Sequence, residues 1–501
     1  MKKKLIFILL ILWLLSGCSE KKGTDFRTIN PQNDVYYEVF VRSFADSDND
    51  GVGDLKGLTN NLDYFSDLGV TGLWLMPINE SNSYHGYDII DYLEINPDYG
   101  TMDDFERLVD EADKKDIKIM IDLVINHTSD QHEWYKQAEA NNAAYRDYYI
   151  WQGETAFSSF VGGMVDLNLN NETVKSEIKS ILDFYAEKGV KGFRLDAAKH
   201  FFQKPGVTAI TLKNAFFIDE INQHLKQNYP DTFITAEVFE YNYQFNVDYF
   251  IGADSILDFS VAQIIQTRVG QGTNVHLFSS GLEKIFDAYR EVDRDFVASP
   301  FITNHDLNRI ASMSGFNGTD SLTRMKLAAN VLLTLPGSPF IYYGDELGMK
   351  GVRYEGTNMP GYGVVYDEYR RSPFLWGDSN IQTHWLPSDG SNDQVKTVVD
   401  QLVDDTSLLN HYKTMIALRK STPALMYGND FNSWVGSKSY LQGYVREYTY
   451  EDFKQTVLVI HNLGISNQTI DVDYLKVLYG TLNLEPNQTL ILEISSSEGY
   501  I

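Results

Sequence analysis

The chain has 501 residues, 43% of them hydrophobic and 13% aromatic, which supplies a large core and room for more than one domain and excludes a disordered chain. Acidic residues outnumber basic ones 69 to 42, a net charge of -27, so no nucleic-acid partner held through basic patches is expected. Cys18 is the one cysteine, which excludes an intramolecular disulfide and a cysteine-based zinc site.

The start of the chain reads as an address. Met1-Lys2-Lys3-Lys4 is basic, and Leu5 to Leu15 is an apolar run too short to span a bilayer comfortably. Leu15-Ser16-Gly17-Cys18 resembles a bacterial lipobox, which implies removal of residues 1–17 and a lipid on Cys18. Residues 18–33 are polar and read as a tether. The expectation is an exported lipoprotein, a monomer, anchored to a membrane surface on the cell surface or extracellular side.

Strand and helix patterns then alternate. The predicted strands are Val35–Val41, Val70–Met76, Ile117–Ile125, Val190–Leu195, Phe233–Val238, Ser255–Phe259, Phe301–Thr303 and Pro339–Tyr343. The predicted helices include Gly57–Leu68, Met102–Lys115, Thr173–Lys188, 208–227, Leu322–Leu333 and 408–421. Eight strands interleaved with helices argue for a (β/α)₈ TIM barrel of the α/β class. A doubly wound open sheet is the rival, weakened because no Gly-rich phosphate loop follows a strand. The barrel is assigned to 34–127 and 164–424. Residues 128–163 are too long for a strand-to-helix loop and are read as an inserted subdomain. Short alternating strands over 425–501 predict a C-terminal antiparallel β-sandwich.

Carboxylates fall where barrel strands end, the place where barrel catalysis concentrates. Asp196 closes the fourth strand, Glu237 follows the fifth, and Asp306 lies just past the seventh. A carboxylate at the end of a buried strand is costly unless paired or functional, and three on one face favour function. Two carboxylates can divide glycoside hydrolysis between nucleophile and acid/base when they lie about 5–5.5 Å apart. Arg194, two residues before Asp196, points to the same side and should keep it ionised.

The motifs Asp122-Leu-Val-Ile-Asn126-His127, Gly192-Phe-Arg-Leu-Asp196-Ala-Ala-Lys199-His200, Glu237 after strand five, and Asn304-His305-Asp306 resemble the α-amylase family of glycoside hydrolases. The resemblance runs through roughly residues 33 to 420. It implies Asp196 as nucleophile, Glu237 as general acid/base and Asp306 as the residue that grips sugar hydroxyls and stabilises the transition state. It implies that Arg194 orients the nucleophile, that His85, His127 and His305 bind hydroxyls, and that Tyr87 stacks on the sugar ring. Lys199 and His200 would line the leaving side. An α-glucan or malto-oligosaccharide cleaved at α-1,4 bonds with retention is the expected substrate, with endo action favoured over an exo-acting glucosidase or transglycosylase. Ala197, small where α-1,6 specialists tend to carry valine, agrees. A non-catalytic sugar-binding surface lipoprotein remains an alternative, though it would not need the acidic trio.

Asp46, Asp48, Asp50 and Asp54 lie on alternate positions with glycines between, a density of hard oxygen ligands that suits Ca²⁺. The resemblance adds the carbonyl of Val52 to that shell. It implies a second calcium held by Asn126, Asp166 and the carbonyl of His200.

Overall fold

The computed structural model describes residues 33–497, except 162, 205–206, 208–209, 355 and 360–361. Cys18, the signal segment and the tether up to residue 32 lie outside the described residues, whereas Asn33 is already buried.

Among the described residues, eight parallel strands form the barrel: β1 (Tyr36–Val39), β2 (Gly72–Leu75), β3 (Lys118–Leu123), β4 (Gly192–Leu195), β5 (Phe233–Ala236), β6 (Ser255–Asp258), β7 (Ser299–Pro300) and β8 (Phe340–Tyr342). Their neighbours follow chain order, and β8 pairs back onto β1. A single parallel bridge, Phe301 to Phe340, closes the β7–β8 seam. The seventh strand therefore stands two residues earlier than the sequence pattern placed it. Pro300 lacks a backbone N–H, which limits the ladder there.

Every barrel strand is buried on both faces, so continuous apolar runs replace alternation. Inside, Tyr36, Trp74, Met120, Phe233, Leu257, Phe301 and Phe340 form one apolar cluster. The rings of Tyr36 and Phe340 stack at 4.7 Å. Gly72 makes room for that stack: a Cβ there would meet the Tyr36 ring at 2.4 Å.

The segment predicted as one helix over Gly57–Leu68 is two, Leu55–Asn60 and Leu62–Leu68, separated at Asn61. The first begins early because the Asp54 side chain caps it by accepting from the Gly57 N–H. The helix Phe278–Val292, between β6 and β7, was not anticipated, although Leu282, Ile285, Phe286 and Tyr289 carry a helical stripe.

The inserted segment is gathered at its base by His127–Ser129 pairing antiparallel with Met164–Asp166. It holds a helix, Glu133–Glu139, and a small hairpin.

The C-terminal region, again among the described residues, is a five-stranded antiparallel sheet of β9 (Asp430–Val435), β10 (Leu441–Tyr450), β11 (Phe453–Asn462), β12 (Lys476–Tyr479) and β13 (Thr489–Ile494). A two-stranded sheet, Gln468–Thr469 with Asn483–Leu484, accompanies it. Leu441 and Val445 pack with Ile470 and Leu484 on one face. Gln442, Tyr444 and Arg446, one pleat on, meet the barrel: Tyr444 and Thr334 hydroxyls lie 2.7 Å apart, and Gln442 accepts from Ser279 at 2.9 Å. Among the described residues no helix is long and apolar enough to cross a membrane.

Candidate active site

The C-terminal ends of the strands open into a cleft of about 590 Å³ lined by Asp196, Glu237, Asp306, His85, Tyr87 and His127, with Lys199 and His200 on one side. All of these were expected there from sequence. Arg194 lies beneath, fully buried.

Arg194 organises the floor. Its register partner across the ladder is Asp122, and its Nη1 donates to both Asp122 oxygens at 2.7 and 3.0 Å. The same nitrogen donates to Asp196 Oδ1 at 2.8 Å, and Nη2 lies 3.1 Å from Glu237 Oε1. One guanidinium thus holds Asp196 and Glu237 on neighbouring nitrogens. The face of Trp74 sits 5.2 Å from its centre.

Ala197 takes a left-handed backbone conformation, φ 49°, uncommon for a residue with a Cβ. That turn aims its N–H at Glu237 Oε2, 2.9 Å away. Burial pushes the carboxyl of Glu237 up, with Arg194 opposing and Asp196 and Asp306 adding to the rise. Burial also raises Asp196; Arg194 pulls it down, as expected, but does not cancel the rise. Burial works against ionisation of Asp306 too, yet His305, Arg371 and Arg194 hold its carboxyl well below the usual range.

His305 is the second organiser. Burial would lower it, but Asp306 and Glu38 raise it to about 10. Its Nδ1 lies 2.6 Å from Glu38 Oε1 and its Nε2 3.2 Å from Asp306 Oδ2. Tyr87 donates to Asp122 Oδ2 at 3.0 Å and stacks on His305 at 5.5 Å. His85 and His127 are pushed down to about 4, chiefly by burial, and so are neutral at pH 7. Lys199 pairs with Glu240 at 3.0 Å.

Sequence reasoning missed Glu38, Asp367 and Arg371. Asp367 and Arg371 line the cleft and pair with each other at 2.7 Å, and Arg371 reaches Asp306 Oδ1 at 3.2 Å. Their i, i+4 spacing in an irregular segment was the available signal. Glu38, a charge inside the apolar run of β1, was a clearer one. Asp88 accepts from the hydroxyls of Ser81 and Ser83.

The acidic loop is separate. Asp46, Asp48 and Asp50 bring carboxylate oxygens within 4.8 Å of one another. Their compensation is backbone: Asp46 accepts from the N–H groups of Asp48, Asn49 and Gly51. Three carboxylates this close, with no ion pair to a cationic side chain among the described residues, suit a hard divalent cation. Asp54 lies outside that trio, its carboxylate accepting from the Ser47 N–H and hydroxyl and from the Gly57 N–H. Val52 contributes its N–H to Asp50, 2.7 Å. At the other expected metal position Asp166 is buried, accepts from Ser159 N–H and Oγ, and is raised by burial to about 6. Asn126 is buried beside it, and His200 lies against Gln203.

Residues 38–159 and 156–428 match the family model described as the α-amylase catalytic domain. The chain belongs to the α-amylase family. It is a glycoside hydrolase of that family, acting on α-glucans. It is 37% identical over 495 residues to an α-amylase of Dictyoglomus thermophilum, covering 94% of this chain and 91% of that one. It is 30% identical to a 4-α-glucanotransferase of Thermotoga maritima, covering 86% and 96%. Among solved structures, an α-amylase from H. orenii superposes with a TM-score of 0.79 at 32% identity, over 93% of this chain and all of that one.

Proposed function

We propose that the protein cleaves internal α-1,4 bonds of starch, glycogen or malto-oligosaccharides by double displacement with retention. The observation that carries this reading is the Arg194 guanidinium, which holds Asp196 and Glu237 side by side. Glu237, kept protonated by burial, gives its proton to the glycosidic oxygen while an Asp196 oxygen attacks the anomeric carbon. The leaving chain departs with a free hydroxyl, and a glycosyl ester forms on Asp196. Glu237, now a carboxylate, takes a proton from water, whose oxygen displaces Asp196. Asp306, held ionised by His305 and Arg371, accepts hydroxyls of the sugar and offsets its developing positive charge.

Asp196→Asn and Glu237→Gln should each lower hydrolysis of soluble starch by roughly 10⁴-fold or more while leaving a folded protein. Ready turnover by either variant overturns the assignment. With the intact enzyme, long early products from starch mark internal cleavage, and glucose alone would mark attack from chain ends.

Asp46, Asp48 and Asp50 hold Ca²⁺ in this reading, and Asn126, Asp166 and the His200 carbonyl hold a second ion at the base of the inserted segment. These ions brace loops and take no part in bond cleavage. The lipobox-like run supports an exported enzyme moored to a membrane by a lipid on Cys18. Cys18→Ser should release the protein into the soluble fraction with unchanged activity, and a membrane-bound variant would refute the anchor.

A further inference from the structure

A second cavity, of about 390 Å³, lies between the barrel and the C-terminal sheet. None of its lining residues lines the catalytic cleft. Thr323, Lys326 and Asn330 supply one wall from a single face of the helix Ser321–Thr334, at the i, i+3, i+7 spacing. His411 comes from the helix Leu408–Ser421. Tyr479 ends β12, and the turn Asn487-Gln488 leads into β13.

The floor is fixed in place. Asn330 is buried, donates to Thr489 Oγ1 at 3.0 Å, and its Oδ1 lies 2.7 Å from His411 Nε2. Burial pushes His411 down to about 4, so it is neutral at pH 7. The Tyr479 ring stands edge-on to His411 at 6.2 Å. The lining is hydroxyl, amide, imidazole and one ammonium around an aromatic ring, with glycine. Among the described residues no carboxylate and no aliphatic side chain lines it, in a chain with 69 acidic residues. Amides and hydroxyls around a ring match a neutral polyhydroxylated ligand, whose hydroxyls both donate and accept and whose C–H face packs on an aromatic surface.

We propose that this cavity is a second saccharide-binding site, which holds a stretch of the α-glucan polymer away from the cleft. The proposal rests on the α-glucan substrate above. It adds that long chains are gripped twice, which raises the effective concentration of polymer at the cleft without any new catalytic contact.

The test uses the full chain. In the Glu237→Gln background, retention in a native gel containing amylopectin should fall when Tyr479→Ala or, at the rim, Gln488→Ala is added. In the active enzyme the same changes should raise KM for soluble starch by about two- to tenfold. Cleavage of maltotriose, too short to reach both sites, should be unchanged and also reports that each variant is folded. Unchanged gel retention and unchanged starch KM in both variants overturn the proposal. So does a cavity that binds inorganic phosphate, detected as heat protection lost in Lys326→Ala, with no effect of Tyr479→Ala on starch. Failure of the intact enzyme to cleave maltotriose or starch would instead strike the hydrolase reading, since gel retention is scored separately.

Discussion

Two acidic regions of this molecule are held in opposite ways. At the cleft, Asp122, Asp196, Glu237, Glu38 and Asp306 are gathered around Arg194, His305 and Arg371. In the loop before the helix Leu55–Asn60, the carboxylates of Asp46, Asp48 and Asp50 accept from backbone N–H groups, and Asp48 and Asp50 are exposed. The cleft carries its own cations, so its geometry is complete before substrate arrives. Among the described residues no ion pair reaches the loop acids, and the Ca²⁺ proposed there would relieve their repulsion. Preorganisation and ion dependence are thus two answers to the same electrostatic problem.

Removing the internal cation should break the cleft most severely. Arg194→Met leaves Asp122, Asp196 and Glu237 buried without their shared partner. Starch hydrolysis should fall by at least about 10²-fold, and unfolding stability by about 3–5 kcal/mol as read from denaturant titration. Near wild-type activity would show that Arg194 is not the organiser.

A smaller, reversible disturbance is pH. Burial raises Glu237, so it stays protonated to higher pH than an ordinary glutamic acid, and the rate should fall only as pH rises through that raised value. Asp196 must be ionised to attack, so the rate should fall on the acid side as it is protonated. An alkaline limb of kcat/KM at or below the ordinary glutamate value of 4.5 would contradict the assigned roles.

The mildest effect is expected at the loop. Chelation should lower the Tm by a few degrees, since an ion present at 100 times its Kd contributes about 2.7 kcal/mol. Asp48→Asn keeps the local hydrogen bond and removes one charge, so its Tm should match the chelated wild type and no longer respond to chelator. A wild-type Tm indifferent to chelation removes the calcium site.

Much of this was legible in the sequence because barrel strands advertise themselves as apolar runs, and the cleft acids sit at their ends. Asp196, Glu237 and Asp306 were found by that rule alone. The partners were harder. Asp122 was visible as part of a motif, but its role depends on the register that sets it beside Arg194. Arg371 and Asp367 come from an irregular segment between the eighth strand and the helix Leu408–Ser421, where no periodicity points inward. The strands Asp430–Val435 and Lys476–Tyr479 are the faintest of the C-terminal region in the sequence, because both are only half-buried and mixed in composition.

The single bridge at the β7–β8 seam gives the barrel a directional softness. Few ladder hydrogen bonds hold the backbone there, immediately before the segment that carries His305 and Asp306. The side of the cylinder that carries His305 and Asp306 is therefore the one with the least hydrogen-bonded hoop to restrain it, while β4 and β5, which lead to Asp196 and Glu237, are tied by full ladders.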